Sequence, residues 1–308
     1  MEEIGQEEMT YCGVLNVDKP AGVTSRDIVN QVVRLVRPAK AGHAGTLDPL
    51  ATGVLVVCVG HATRLINLVQ EGRKRYLGRF ALGQTSDTDD VTGNLQAGGD
   101  WSGITKAQLQ AELTQFVGRI DQTPPQFSAV HVQGQRAYDL ARRGVTVELA
   151  ARPVDIFSLE LTAFQPPEFE LDVICGGGTY IRSIGRDLGA RLGCGALMTD
   201  LRRLAVGHYE IANAVQSDQI TAESIGQMLR SPLEIVSHLP RRELTQAEAI
   251  AVRCGQSIAA SDPATNDSDL NRFERRTSLV DSEGQLVGVG ELDAATERLQ
   301  PRIIFPAS

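Results

Sequence analysis

Apolar and polar positions repeat along the chain with two different periods, which predicts strands and helices in mixed order. An unbroken apolar run over 54–59 is typical of a buried strand, and residues 74–83 alternate as a half-buried strand does. Residues 24–36 and 104–118 instead repeat apolar side chains at helical spacing, and each segment starts near a threonine that can cap a helix. The pattern therefore predicts an α+β domain built on a sheet.

The second half of the chain continues this mixture. Residues 154–164 and 169–178 alternate as two strands, and the Pro-Pro pair between them predicts a hairpin turn. Residues 178–193 indicate a strand-to-helix transition, and a further strand pattern follows at 202–211. We expect residues 212–240 to form a helical tail of this first domain.

The length of 308 residues predicts two domains. We expect a flexible acidic tail at 1–11, a main domain over 12–240 with an insertion at about 124–152, and a small β-rich unit over 243–308. The predicted boundary lies near Pro240.

Composition narrows the class of protein. Hydrophobic residues make up 42% and charged residues 22%, which excludes a mostly disordered chain. No apolar run is long enough to span a bilayer and no signal peptide is visible, so we expect a cytoplasmic protein without membrane contact. The five cysteines are scattered without zinc spacing, which predicts reduced, buried thiols and no metal.

Charge is distributed unevenly. The net charge is −8, yet residues 19–79 contain ten basic and three acidic residues, a local net charge of +7. An acidic protein can therefore present a basic face to phosphates. Charge alone does not decide whether a nucleic acid is the partner.

Three segments have residues suited to chemistry, and each has a simpler interpretation. Asp48 lies in the Gly/Ala-rich loop 41–53, where a desolvated carboxylate could act as nucleophile or base, or could merely accept backbone hydrogen bonds in a turn. Arg182, at a predicted helix start, could pair with a distant carboxylate or form an ordinary surface ion pair. Tyr76, on a predicted strand, could stack on a base or simply be half-buried. None of these segments is decisive alone.

Two further segments are open to the same pair of interpretations. Basic residues surround Tyr138 on a predicted helix, which suits an RNA backbone or a solvated helix face. The acidic loop 87–90 lacks the spacing of an EF-hand, which favours solvated or capping carboxylates over a calcium site.

In their order along the chain, these segments closely resemble the TruB family of tRNA pseudouridine synthases. The resemblance rests on GVLNVDKPAGVTS, GHAGTLDPLATGVLVVCVG, KRY, TSDTDD, PPQFSAVHVQGQRAYDLARRG, GTYIRSIGRDLG and LRRLAVG, which lie within residues 13–211. It implies a pseudouridine synthase fold with a mixed, mainly antiparallel sheet flanked by helices. It also implies that the unit from 243 is a PUA-like RNA-binding domain and that 124–152 grips RNA.

The resemblance further implies an activity and a set of site residues. The expected reaction isomerises uridine 55 in the T loop of tRNA to pseudouridine after base flipping, without cofactor, metal or guide RNA, in a monomer. Asp48 would attack the ribose or remove its 2′ proton, Arg182 would pair with Asp48, and Tyr76 would stack beside the uracil and help remove the C5 proton. His43 would occupy the space left by the extruded nucleotides, and Asp90 would fix the base-flipped loop. The remaining expected RNA-binding residues are Lys19, Lys74, Arg136, Arg142, Arg143 and Tyr180.

The sequence departs from the family pattern at three positions. Phe127 stands where Tyr is usual, His131 where Lys is common, and Leu204 where Thr is common. We expect these changes to affect affinity more than activity. Three alternatives stay open: a guide-RNA-dependent synthase, a tRNA chaperone without catalysis, and a glycosidase with paired carboxylates.

Overall fold

The computed structural model describes residues 11–307, apart from 129, 133, 146 and 261–274. The expected acidic tail, except for its last residue, and the polar linker after 260 lie outside the described residues. No helix in the described part is long and apolar enough to cross a membrane.

Strands and helices alternate as the pattern of apolar positions predicted. The α-helices are α1 (Ser25–Leu35), α2 (Ile66–Glu71), α3 (Lys106–Leu113), α4 (Ala137–Arg142), α5 (Ile181–Arg191), α6 (Ile225–Met228) and α7 (Gln246–Arg253). The strands are β1 (Gly13–Lys19), β2 (Ala41–His43), β3 (Thr52–Val59), β4 (Lys74–Leu82), β5 (Gln84–Ser86), β6 (Leu95–Ala97), β7 (Gly118–Gln122), β8 (His131–Val132), β9 (Gln135–Arg136), β10 (Arg152–Gln165), β11 (Glu168–Cys175), β12 (Ala196–Val206), β13 (Tyr209–Glu210), β14 (Val215–Gln216), β15 (Arg241–Glu243), β16 (Ile258–Ala259), β17 (Arg276–Val280), β18 (Leu286–Asp293) and β19 (Arg298–Ile304).

A ten-stranded sheet organises the larger part of the molecule. Its main path runs β14-β1-β3-β12-β4-β11-β10-β7, with β2 and β13 attached to β3 and β12. Only the β1–β14 and β3–β12 pairs are parallel, so the sheet is mixed and mainly antiparallel, as predicted. The parallel β3–β12 contact, next to β4, brings the loop before β3 close to the middle of the sheet.

Local sequence accounts for the helix starts. The side chains of Thr24 and Thr105 each accept a hydrogen bond from the backbone N–H three residues on. The side chains of Asp27 and Gln108 accept one from the backbone N–H of the capping threonine, so both helices begin with a capping box. The predicted hairpin between residues 154 and 178 is also present, as β10 and β11.

A five-stranded sheet, ordered β15-β17-β18-β19-β16, forms the C-terminal part together with α7. Its side chains Leu286, Val289 and Phe305 share a buried cluster with Leu65 and Val69 of the first part. The C-terminal sheet therefore shares an apolar core with the helical segment 60–71 of the first part.

Two expectations were wrong, and one hairpin was not foreseen. Residues 212–240 contain only short helical turns and β14, because Val215 and Gln216 pair with β1 instead of continuing a helix. The polar stretch 84–97 forms the hairpin β5–β6, which its turn-rich composition concealed. Of the five cysteines, Cys254 is exposed and Cys12 is half-buried, while the other three are buried as expected.

Candidate active site

The loop between β2 and β3 holds Asp48 in a fixed backbone conformation. The hydroxyl of Ser25, in the first turn of α1, accepts a hydrogen bond from Leu47 N at 2.8 Å and donates to Leu47 O at 3.1 Å. Ala51 N donates to Asp48 O at 3.0 Å, and Gly22 N donates to the carbonyl of Pro49 at 2.8 Å. The start of α1 and the turn before it therefore brace the loop on both sides of Asp48.

Arg182 is the partner of Asp48. It is the second residue of α5 and only 5% exposed, and its Nε lies 3.0 Å from Asp48 Oδ2. Its Nη1 donates to Thr88 O at 2.7 Å and its Nη2 to Phe127 O at 3.0 Å. One guanidinium thus joins the Asp48 loop, the acidic loop and the insertion.

Asp90 is the second carboxylate near this guanidinium, 3.7 Å from Arg182 Nη1. Its Oδ1 accepts hydrogen bonds from Thr88 Oγ1, Thr92 N and Thr92 Oγ1 at 2.6–2.9 Å. The Asp90 side chain is 4% exposed, whereas the Asp48 side chain is 36% exposed. Of the two carboxylates, Asp48 is therefore the one open to a ligand, whereas Asp90 is enclosed within the acidic loop.

Tyr76 lies on β4 at the floor of the same region. It is 8% exposed and packs in a buried apolar cluster with Leu47, Ala51 and Leu201. Burial raises the pKa of Tyr76, and the nearby charge of Arg203 opposes that rise. The phenol is therefore neutral at neutral pH, with an apolar wall around it.

His43 ends β2, next to the loop. It is half-buried, and its Nδ1 has no hydrogen-bond partner. Burial lowers the pKa of His43, and the cations Arg203 and Arg26 lower it further. A neutral imidazole whose buried Nδ1 lacks a partner suits a position where a bound molecule supplies the missing hydrogen bond.

Tyr180 caps α5 and is held through its backbone. The side chain of Gln122 accepts from Tyr180 N at 2.8 Å and donates to Tyr180 O at 3.1 Å. Gln122 is only 2% exposed, and burial raises the pKa of Tyr180. Sequence reasoning missed Gln122, because a glutamine after a short edge strand has no distinctive signal.

Lys19 and Lys74 do not face solvent as an RNA-binding role requires. Lys19 is fully buried, and its ammonium donates to the carbonyls of Pro20, Val23 and Pro49 at 2.7–3.4 Å. Lys74 is 7% exposed and donates to the carbonyls of Gln70 and Gly72. Burial lowers the pKa of both lysines to about 8. In this structure both lysines brace backbone turns.

The insertion presents an exposed basic and aromatic surface. Arg142 lies with its guanidinium 4.6 Å from the ring centroid of Tyr138, and both side chains are exposed. Phe127 meets Tyr138 edge-on, with 6.0 Å between ring centroids. Arg143 is exposed and donates to Asp139 O and to Gln135. The side chain of Arg136 lies outside what the structure describes.

The departures from the family pattern lie away from the Asp48–Arg182 pair, with one exception in the backbone. Leu204 stands at a register shift of β12, between Arg203 and Ala205. The ring of Phe127 contacts the insertion, but its carbonyl accepts from Arg182. The side chain of His131 lies outside the described residues.

Within the described residues, no group of three or more His, Cys, Asp or Glu side chains is placed to hold a metal ion. The charges of the site are instead the Asp48–Arg182–Asp90 set and the buried lysines. This arrangement can present one ionised carboxylate beside an apolar pocket wall.

Comparison with known proteins agrees with this geometry. Residues 33–181 match the TruB family pseudouridylate synthase N-terminal domain, and residues 182–234 match the tRNA pseudouridylate synthase B C-terminal domain. A tRNA pseudouridine synthase B of Parasynechococcus marenigrum is 39% identical, over 96% of this chain and 98% of that protein. The chain belongs to the TruB family. It is therefore a pseudouridine synthase, an enzyme of the isomerase class.

Further relatives extend the match. The tRNA pseudouridine synthase B of Azoarcus sp. is 38% identical, over 93% of both chains. Among solved structures, a Cbf5-Nop10-Gar1 complex contains a chain with a TM-score of 0.67, 24% identity, and coverage of 91% of this chain and 78% of that one. A chain of an H/ACA RNP bound to a substrate RNA has a TM-score of 0.69, with 22% identity and coverage of 96% and 85%. These structural likenesses confirm the predicted fold.

Proposed function

We propose that this TruB-family enzyme isomerises uridine 55 in the T loop of tRNA to pseudouridine, with Asp48 acting on the ribose. The observation that carries the proposal is the exposed Asp48 carboxylate, 3.0 Å from the buried guanidinium of Arg182. A buried guanidinium at that distance fixes the orientation of the carboxylate, and a nucleophile or base has to be held in this way.

The contrast with Asp90 supports the assignment to Asp48. Both carboxylates lie against Arg182, but Asp90 is enclosed by Thr88 and Thr92 and cannot touch a substrate. We assign Asp90 a positioning role, in which it shares and orients the guanidinium that holds Asp48.

The proposed reaction is redox-neutral. The N1–C1′ bond breaks, the uracil turns and a C5–C1′ bond forms. The hydrogen on C5 leaves as a proton and N1 takes up a proton, so the product is an isomer. Asp48 can either bond to C1′ as the glycosidic bond breaks or remove the 2′ proton, and both steps need the ionised carboxylate. The apolar wall beside Tyr76 suits a base that rotates without being hydrogen-bonded to water.

Tyr76 suits stacking better than proton removal by a phenolate. Its raised pKa keeps the phenol neutral at neutral pH, so the hydroxyl can relay the C5 proton only by giving up its own. Stacking needs only the ring face and offsets part of the free energy of unstacking the target base.

The tRNA is the substrate that fits the exposed basic side chains and the names of the relatives. Arg142, which lies against the ring of Tyr138, and Arg143 can contact phosphates of the T stem. We propose that the enzyme works as a monomer in the cytoplasm without guide RNA, because the curated relatives named as tRNA synthases match along almost their whole length. The division into a catalytic domain over 12–240 and a PUA-like domain over 243–308 is part of the same proposal.

The test uses purified protein and an unmodified T-arm stem-loop whose uridines carry tritium on C5. We expect tritium in the solvent without guide RNA or nucleotide, and no release from a matched stem-loop with cytidine at position 55. Release from both RNAs would contradict the assignment to position 55. Binding without release would contradict the stand-alone reaction and favour a guide-dependent synthase or a chaperone.

A further inference from the structure

Arg203 is a buried arginine between the two strands that present the site. It lies on β12, directly opposite Tyr76 of β4 and beside Gly53 of β3. It is 1% exposed, and it ranks among the largest fully buried side chains of the described part.

The guanidinium of Arg203 donates to three backbone carbonyls near Asp48. Nε donates to Val54 O at 2.7 Å, Nη2 to Gly45 O at 3.1 Å, and Nη1 to Thr46 O at 3.5 Å. These carbonyls flank the Asp48 loop, two just before Asp48 and one just after the loop enters β3. One planar fork therefore ties both ends of the loop to the central strand.

No carboxylate within the described residues forms an ion pair with Arg203 at 4.0 Å or less. The charges closest to it include the buried ammonium groups of Lys19 and Lys74, whose pKa values it lowers. A buried cation without a carboxylate costs desolvation free energy that an apolar side chain would avoid. Unlike an apolar side chain, however, the guanidinium holds three backbone carbonyls in place by hydrogen bonds.

Two glycines show how closely the loop follows Arg203. Gly53 has φ +100°, and a Cβ there would lie 2.2 Å from Arg203 O. Gly45 has φ +115°, and a Cβ there would lie 3.6 Å from Arg203 Nη1. The loop backbone therefore has little room to shift relative to β12.

We propose that Arg203 is a positioning residue that sets the place of Asp48 relative to Tyr76. Its fork holds the Asp48 loop through three carbonyls, and its Cζ lies 6.0 Å from the centroid of the Tyr76 ring. Asp48 and Tyr76 come from different elements, and Arg203 contacts both the backbone of the Asp48 loop and the ring of Tyr76. This inference rests on the proposed function, because the reaction needs that spacing.

The test compares three variants in single-turnover tritium release with saturating stem-loop, well below each melting temperature. Arg203→Gln removes the charge and the fork, and we expect the rate to fall roughly 10–100-fold, the cost of a displacement on the order of 1 Å. Arg203→Lys keeps the charge but not the fork, and we expect a fall of about 3–10-fold. The dissociation constant for the stem-loop should stay within about threefold in both.

Arg202→Gln is the matched control. Arg202 neighbours Arg203 on β12 but pairs with Asp18 at 2.8 Å, and its side chain is 39% exposed. We expect lower thermal stability with the turnover rate unchanged within about twofold. Amide hydrogen exchange over 44–56 should rise in Arg203→Gln and not in Arg202→Gln.

The outcomes separate this inference from the proposed function. An inactive wild-type enzyme would overturn the proposed function. An active wild-type enzyme with an equally fast Arg203→Lys variant would overturn the inference, even if Arg203→Gln failed to fold. A loss of RNA binding that accounted for the whole loss of rate would also overturn it, because a positioning residue changes the rate at saturation.

Discussion

The Asp48 loop and the insertion at 124–152 both contact Arg182, but they are held in opposite ways. The loop is tied by hydrogen bonds from Ser25 and by the buried cations Lys19 and Arg203. The insertion joins Arg182 through the carbonyl of Phe127, and its described side chains include exposed arginine and tyrosine. The Asp48 carboxylate is thus preorganised, while the basic and aromatic surface of the insertion is left exposed.

The difference follows from what each region must do under the proposed function. A reacting carboxylate has to be held in place before the substrate arrives, since rate depends strongly on geometry. A phosphate-binding surface gains from long-range charge and tolerates adjustment, because phosphate contacts depend less on exact placement. Arg182 couples the two regions through a single side chain.

The largest effect is expected from replacing Arg182, which contacts both regions. In Arg182→Met, Asp90 remains buried without its cation, so we expect a loss of roughly 3–5 kcal/mol in the free energy of unfolding. Tritium release should fall about 10³-fold, because Asp48 loses its positioning partner. Urea unfolding and single-turnover kinetics measure the two effects.

The control for this change is Arg191→Met on the same helix. Arg191 pairs with Glu112, but its side chain is 47% exposed, so we expect a loss of at most about 1 kcal/mol and normal turnover. Comparable losses in the Arg182 and Arg191 variants would mean that burial of the Arg182 network is unimportant.

A pH measurement sharpens the claim that buried cations hold the loop. Burial lowers the pKa of Lys19 to about 8 from an ordinary value of 10.5, so the folded state binds its proton less tightly than the unfolded state does. Burial of the charged ammonium therefore lowers the free energy of unfolding below about pH 8. This loss is recovered as the pH rises from about 8 to 10.5. Between pH 7 and 9.5, wild type should gain about 1–2 kcal/mol relative to Lys19→Met.

The exposed Lys106 provides the matched control. Urea unfolding of Lys106→Met should show the same pH dependence as wild type. If Lys19→Met also followed wild type, the ammonium of Lys19 would not be buried in solution.

The smallest expected effect concerns the insertion. Arg142→Ala should weaken stem-loop binding about 3–10-fold and reduce the salt slope of log K by about 0.7–0.9, while turnover at saturation stays unchanged. Titration at several salt concentrations measures this. Arg230→Ala, an exposed arginine paired with Glu234, should leave binding unaltered. A fall in saturating turnover with unchanged affinity would reverse the roles assigned to the two regions.

Much of the sheet was predictable, because apolar runs such as β3 and alternating runs such as β4 record burial directly in the sequence. The helix caps at Thr24 and Thr105 were also predictable from the sequence. By contrast, β14 was not predictable, because a two-residue strand that pairs with a distant strand leaves no periodic pattern in the sequence. Tertiary pairing decided that segment.

The candidate site shows the same division. The motifs around Asp48, Arg182 and Tyr76 indicated these residues in advance, and the structure brings Asp48 and Arg182 together. The motifs could not show that Lys19 is buried, because a lysine next to a predicted turn is expected to be exposed. They also left Gln122 without a role, since its partner is the backbone of a residue 58 positions away.

The central claim is that Asp48 is the catalytic carboxylate, and one measurement tests it most directly. Tritium release and stem-loop binding are compared for wild type, Asp48→Asn and the exposed control Asp218→Asn. We expect Asp48→Asn to lose roughly 10³-fold or more of the rate while binding RNA within about threefold, and Asp218→Asn to match wild type. Turnover by Asp48→Asn within tenfold of wild type, or loss of RNA binding in step with rate, would contradict the account.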